Sequence, residues 1–488
     1  MVKLEVEKVQ CDTRCLPLRT ELFQNLRSKP GFCLIDAPCA SDPKRVLIFL
    51  DPVLEIKGGK DWSRVLSGKE VVFHSHSCTA ALDQWLSSYT ADESPHSSAN
   101  SIPCIAGFMS YELGYEFEGL SSQATTIDTQ LPLYRFWLYR SVLESGSNGL
   151  VHHHFSDDDY STPLWPDFDI SNVLSRISSS SSPAKHIQPE VNTGSMHLSQ
   201  LEQYSNFSRS DYIDACLEIQ ERIRAGAVYQ VNLSQQFTVP IDSHSLDLYT
   251  TLCELSPAQH SAYIQMSDIE DWAIVCSSPE LFLRRSGHEV LSSPIKGTRP
   301  RGASLPEDTV LRNSLVNSEK DRAELTMIVD LIRNDLGRVA EIGSVQVVRY
   351  PRVETLPQVH HLVSDIRCCL RKDVKLAELL ATTFPCGSIT GAPKISAMKT
   401  IAELEPTPRG VYTGSIGTIS LGGDLLLNVA IRSGIVRNSS FTFHSGAGIV
   451  IDSDPQAEYW ETLHKASGLW GSAELHIYAN RNTRISAV

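Results

Sequence analysis

Ser293-Pro294-Ile295-Lys296-Gly297-Thr298-Arg299-Pro300 sets one lysine between a proline and a Gly-Thr pair, the pattern of an amine held at a fixed point on a turn. Two acidic segments follow, Asp321-Arg322-Ala323-Glu324 and Glu458-Tyr459-Trp460-Glu461. In each, the carboxylates stand three residues apart, so on a helix they share a face. Four carboxylates converging from two helices suit a hard cation such as Mg²⁺, which takes oxygen ligands and keeps several waters. The amine then serves as nucleophile or base on a carboxylated small molecule. Spacing does not say that the two helices face each other. Solvated acidic faces, paired with Arg322 and Lys465, satisfy the same pattern.

The 488 residues suffice for one large domain or for two to three ordinary ones. Apolar residues make up 41% and charged residues 20%, a soluble globular balance. With 43 basic against 57 acidic residues the formal charge is −14, which argues against a nucleic-acid-binding or anionic-membrane surface. An anionic substrate has to be held by local positive groups. None of the 12 cysteines forms a Cys-x-x-Cys pair, so no zinc spacing appears. Met1-Val2-Lys3-Leu4-Glu5-Val6-Glu7 lacks an apolar signal stretch, and no run of about 18 apolar residues offers a membrane span. The expectation is a cytoplasmic protein with free thiols.

The first 170 residues or so read as strand-rich. Phe136–Glu144 and Leu150–Phe155 flank Ser147-Asn148-Gly149, a hairpin signal. A serine-rich stretch, 176–203, reads as a flexible connection. Beyond it a helix is expected to start at Ser210 as N-cap and stop at Gly226, with Ile213, Cys216, Leu217, Ile219 and Ile223 at helical spacing. Further helices are expected over about 319–334 and 456–469. Strand-like segments lie between them, among them 228–234, 414–420, 425–431 and 441–443. Strands and helices do not alternate strictly, which favours an α+β fold with antiparallel sheets over a doubly wound one.

Three other segments carry potential chemistry. Ser445-Gly446-Ala447-Gly448 could turn backbone N–H groups toward an anion, with Arg432 and Lys465 adding positive charge, or could be a plain tight turn. Ser388-Ile389-Thr390-Gly391-Ala392-Pro393-Lys394 leads into a helix, where a free Thr390 hydroxyl would suit a polar substrate group. His152-His153-His154 with Asp157 to Asp159 reads as a solvated hairpin loop rather than a metal site.

Taken in order, these segments resemble the chorismate-utilising enzymes, the family of anthranilate, aminodeoxychorismate, isochorismate and salicylate synthases. The resemblance rests on Tyr229–Ser234, Ser278–Glu280, Pro294–Thr298, Asp321–Glu324, Asp330–Asp335, His360–Val363, Ser388–Lys394, Gly446–Val450 and Glu458…Glu461, and covers about residues 205–475. It implies an α/β sandwich of two antiparallel sheets, helices outside and the active site between. It implies Mg²⁺ held by Glu324 and Glu461, with Asp321 and Glu458 in support. Gly446, Ala447, Gly448, Arg432, Tyr412 and Lys465 match carboxylate-binding positions, and Thr298, His361 and Thr390 match positions lining the ring.

Within the family, the chain is most similar to the aminodeoxychorismate-forming branch, component I. Relatives that transfer water to the ring have a lysine where this chain has Gln230, and anthranilate synthases typically have alanine at position 296. The implied chemistry is attack by Lys296 on ring carbon 2, loss of the carbon 4 hydroxyl with Glu280 as general acid, and addition of ammonia at carbon 4 with expulsion of the lysine. Such a lysine is expected to have its pKa depressed by burial. No Gly-x-Cys-x-Gly element of a glutaminase appears, so ammonia is expected from a separate glutamine amidotransferase subunit in a heterodimer, and the product would feed 4-aminobenzoate and folate synthesis. The expected organisation is an N-terminal region 1–175 interleaved with the catalytic fold, the connection 176–203, a catalytic region 204–475 and a tail 476–488. Ala37 and Ser256-Pro257-Ala258-Gln259-His260 depart from the tryptophan-binding residues of many relatives.

Overall fold

The computed structural model describes residues 3–9, 26–27, 29–39, 42–89, 101–120, 131–147, 149–156, 164–165, 168–179, 198–267, 271–356 and 358–485. Every strand pairing among the named ladders is antiparallel, and the ladders connect 21 strands into one hydrogen-bonded network flanked by helices, an α+β architecture. The longest pairing joins Val46–Gly59 to Tyr134–Gly146, whose Phe136, Trp137 and Tyr139 are fully buried. The Tyr134–Gly146 strand returns through the expected hairpin into Gly149–Ser156. Asn148 and Asp157 to Asp159 lie outside the described residues, as do positions 180–197 of the connection.

N-terminal strands are built into the same sheet as the later ones. Cys33–Asp36 pairs with His260–Gln265, and Pro103–Met109 pairs with Ser415–Ser420. Gln230–Pro240 runs beside Ser440–Ile449 over its whole length, with Phe237 stacked on Phe443 at a centroid distance of 5.4 Å.

The helix expected to be capped by Ser210 is capped two residues earlier, by Ser208, and runs from Arg209: the Ser208 side chain accepts from the Asp211 N–H. Gly226, at φ +76°, ends it as expected. The helix Glu319–Gly337 is capped by Ser318 and turns Leu325, Ile328, Val329, Ile332 and Leu336 into the core, against the strand Val359–Cys369. The last helix runs Pro455–Ile485, well past the expected end at Leu469 and into the expected tail. Leu463, Ala466, Leu469, Trp470 and Ala473 explain why: the buried stripe continues at helical spacing.

The C-terminal end of the Glu319–Gly337 helix is pinned to the start of the helix Lys394–Leu404 by a buried ion pair, Lys394 Nζ to Asp335 Oδ2 at 2.5 Å, and Lys394 also donates to the Thr383 carbonyl. Removing one partner strands a buried charge. Asp335→Ala should therefore destabilise the protein by about 3–5 kcal/mol, read as a lowered thermal midpoint. An unchanged midpoint would mean that the pair contributes nothing to holding the two helices together.

Candidate active site

A β-bulge aims Lys296. Ile295–Pro300 runs against Val359–Cys369 with Ile295 opposite Val363 and Thr298 opposite His361, so the register slips by one residue at Lys296-Gly297. Gly297 permits this: its φ is +77°, and a Cβ there would stand 2.8 Å from the Asp321 carboxyl carbon. The Lys296 ammonium lies 3.4 Å from Glu324 Oε1 and donates to the Ser388 carbonyl at 3.1 Å.

Glu324 Oε1 is shared, because the Gln230 side-chain amide donates to it as well. Gly448 makes room for this contact. A Cβ there would meet Gln230 Nε2 at 2.5 Å and Glu324 Oε1 at 2.7 Å. With the amide nitrogen committed, Gln230 Oε1 is left buried with no partner.

Glu280 is buried, and burial pushes its carboxyl up to about 7. The Ser388 hydroxyl, the Lys296 charge and the Ile295 N–H oppose this shift without cancelling it. Glu280 Oε1 has no partner. His361 is buried too, with Nδ1 2.9 Å from the Thr298 hydroxyl and Nε2 unpartnered. Burial, then the charge of Arg432, pushes its pKa down to about 4, so the ring is neutral near pH 7. Arg432 holds a left-handed φ of +49° and donates to Ser256 Oγ at 3.4 Å. No carboxylate pairs with it among the described residues, which leaves a desolvated guanidinium ready for an anion. Gln230, Glu280 and His361 each leave one buried polar atom without a partner, the kind of group that a polar ligand satisfies.

Two expectations need correction. Gly446-Ala447-Gly448 is not a turn. It is extended chain inside the strand Ser440–Ile449, with Gly446 opposite Ser234 and Gly448 opposite Asn232. Its glycines provide close approach: a Cβ on Gly446 would reach the Tyr412 hydroxyl at 3.0 Å. Thr390 does not offer a free hydroxyl, since it is fully buried and its Oγ1 donates to the Cys386 and Gly387 carbonyls. The same turn instead supplies Ser388, whose carbonyl accepts from Lys296 and whose hydroxyl bonds Glu280. Tyr412 is buried with its ring stacked on His444 at 5.3 Å, and Lys465 Nζ reaches the Gly446 carbonyl at 3.3 Å.

The acidic quartet is charge-compensated. Asp321 pairs with Arg299 at 3.0 Å rather than with Arg322, Glu324 with Lys296 at 3.4 Å, Glu458 with Lys320 at 3.4 Å and Glu461 with Lys465 at 2.7 Å. Among the described residues no three acidic, histidine or cysteine side chains are drawn together into a metal-holding group. The donor chemistry still fits a hard cation. Glu458, Glu461 and Glu324 all act on the one ammonium of Lys320, so a positive charge already stands among them. Carboxylates from two helices with space for water are the donors that Mg²⁺ takes.

Comparison with known proteins gives the family. Residues 46–470 match the family model described as chorismate binding enzyme. This chain belongs to the chorismate-binding enzymes. The chain is 34% identical to aminodeoxychorismate synthase component 1 of Bacillus subtilis (strain 168) over 436 residues, 87% of this chain and 88% of the relative. It is 37% identical to an anthranilate synthase component 1 of Haloarcula marismortui over 377 residues, 75% of this chain and 72% of that one. The crystal structure of anthranilate synthase component I from Streptococcus pneumoniae TIGR4 superposes with a TM-score of 0.70 at 28% identity, covering 89% of this chain and 93% of that chain. Among the described residues of this chorismate-binding enzyme, no helix is long and apolar enough to cross a membrane.

Glu280 yields a test. Its folded pKa lies above the ordinary carboxylate value, so the stability linked to its neutral form is complete below about pH 4.5 and is lost as pH rises through about 7. Glu280→Gln keeps the shape and cannot ionise. Its stability relative to the parent should grow between pH 5 and pH 8, by about 3 kcal/mol at most, in thermal melts. A difference that does not change with pH would show that this carboxyl does not titrate in that range.

Proposed function

We propose that the chain is the chorismate-aminating component I of an aminodeoxychorismate synthase, using ammonia from a separate glutamine amidotransferase. The observation that supports this reading is a lysine at 296, aimed by a bulge, beside a buried Glu280 whose carboxyl burial pushes up to about 7, so that a sizeable fraction keeps its proton near neutral pH. A displacement through an amine needs both groups.

Arg432, Tyr412 and Lys465 hold the carboxylates of chorismate. Glu324 and Glu461, supported by Glu458 and Asp321, would hold Mg²⁺, which when bound neutralises the ring carboxylate. Lys296 attacks carbon 2 as a free amine, the ring double bond shifts, and the carbon 4 hydroxyl leaves as water with the proton of Glu280. Ammonia then adds at carbon 4 and the bond to Lys296 breaks, its electron pair returning to the lysine nitrogen. The new ammonium gives a proton to the Glu280 carboxylate, which restores the acid. Chorismate and ammonia become 4-amino-4-deoxychorismate and water, and the enolpyruvyl group is kept. The neutral His361, braced by Thr298, lines the ring without adding charge. Gln230 cannot remove a proton from water, in keeping with ammonia rather than water as the second nucleophile.

Mass spectrometry of the product from purified chain, chorismate, Mg²⁺ and ammonium tests the proposal. Expected is an aminated product that retains the enolpyruvyl group. Lys296→Ala should abolish it, and Glu280→Gln should lower kcat by about 10²–10⁴-fold. At constant free ammonia, kcat/KM for chorismate should lose its Glu280-dependent part as pH rises through about 7, as that carboxyl gives up its proton. Anthranilate with pyruvate from the unaltered chain would overturn the reading in favour of anthranilate synthase, whose component I also lies among the similar proteins.

A further inference from the structure

The acidic quartet comes from the N-terminal turns of two helices, Glu319–Gly337 and Pro455–Ile485, and its charge has to be managed when no divalent cation is present. Glu324, Glu458 and Glu461 would otherwise repel one another across a partly desolvated space. Two of the four compensating cations also have a role elsewhere in the site, and a third, Arg299, is tied to the lysine strand. Lys296 is the proposed nucleophile, Lys465 also bonds the Gly446 carbonyl, and Arg299 belongs to the lysine strand and faces Asp321.

Lys320 is different. It lies on the Glu319–Gly337 helix between the cap and Glu324, its side chain is 59% exposed, and it touches neither Lys296 nor any proposed substrate-binding group among its recorded partners. Its ammonium lies 3.4 Å from Glu458 Oε1, and the charges of Glu461 and Glu324 act on it as well. Glu458 is otherwise held by the Ser453 hydroxyl at 2.7 Å, so Lys320 supplies its only cationic partner among the described residues. A long, exposed stem lets the ammonium swing into water when another cation arrives.

We propose that Lys320 is a built-in counter-ion: its ammonium occupies the acidic quartet in the metal-free protein and is displaced when a divalent cation binds. The inference rests on the Mg²⁺ assignment made above. The displacement sets the affinity. Mg²⁺ binds only by outcompeting a tethered charge, which keeps binding weak and reversible, while the empty quartet stays neutralised and folded.

Mg²⁺ titration of the full chain by calorimetry, without chorismate, tests this. Lys320→Gln should bind Mg²⁺ about tenfold more tightly, equivalent to about 1.4 kcal/mol. In EDTA it should melt at a lower temperature than the parent, and Mg²⁺ should recover that loss. Lys320→Arg keeps the charge and should behave as the parent. Equal or weaker Mg²⁺ binding by Lys320→Gln, with normal binding by the parent, would overturn the counter-ion role and leave the Mg²⁺ assignment standing. No Mg²⁺ binding by the parent would overturn both.

Discussion

One carboxylate oxygen, Glu324 Oε1, organises the site. It receives the Lys296 ammonium from one strand and the Gln230 amide from another, and it comes from a helix that packs on a third. Each donor is aimed by a backbone feature: the bulge at Lys296-Gly297, the extended strand at Gln230, the capped helix at Ser318. Gly448 lets Gln230 and Glu324 meet, since any side chain there would press on both. Because the partners come from distant parts of the chain, the arrangement exists only when the whole sheet is assembled.

The same site separates acid from base by environment. Glu280 sits in a dry pocket that favours its neutral form, while Glu324 is surrounded by donors. His361 follows the same logic with the opposite sign: burial and the nearby Arg432 keep a base uncharged.

Much of this was legible in the sequence because the key elements announce themselves locally. The i,i+3 acidic pairs, the Pro-Ile-Lys-Gly-Thr segment and the buried stripe of 319–337 need no partner to be read. What escaped depends on contacts that spacing cannot carry. Gly446 and Gly448 look like a turn because glycine pairs usually mark one, yet here they serve an extended strand approached closely by Tyr412, Gln230 and Glu324. Thr390 and Ser388 are two residues apart in one turn, and only the fold decides whose hydroxyl is turned back on its own backbone. Ser208 took the cap from Ser210 because either serine satisfies the pattern.

The pairing of Pro103–Met109 with Ser415–Ser420 has a consequence for how the chain is made. The first strand leaves the ribosome roughly 300 residues before its partner, a gap on the order of 15–60 s at ordinary elongation rates. Through that interval the edge Pro103-Cys104-Ile105-Ala106-Gly107-Phe108-Met109, almost wholly apolar, has no permanent neighbour on that side. Its backbone groups can template the wrong strand, from this chain or another. Yield in a cell thus depends on what shields that edge during synthesis as much as on the stability of the finished protein, and slow, cool expression should favour the native sheet over aggregates.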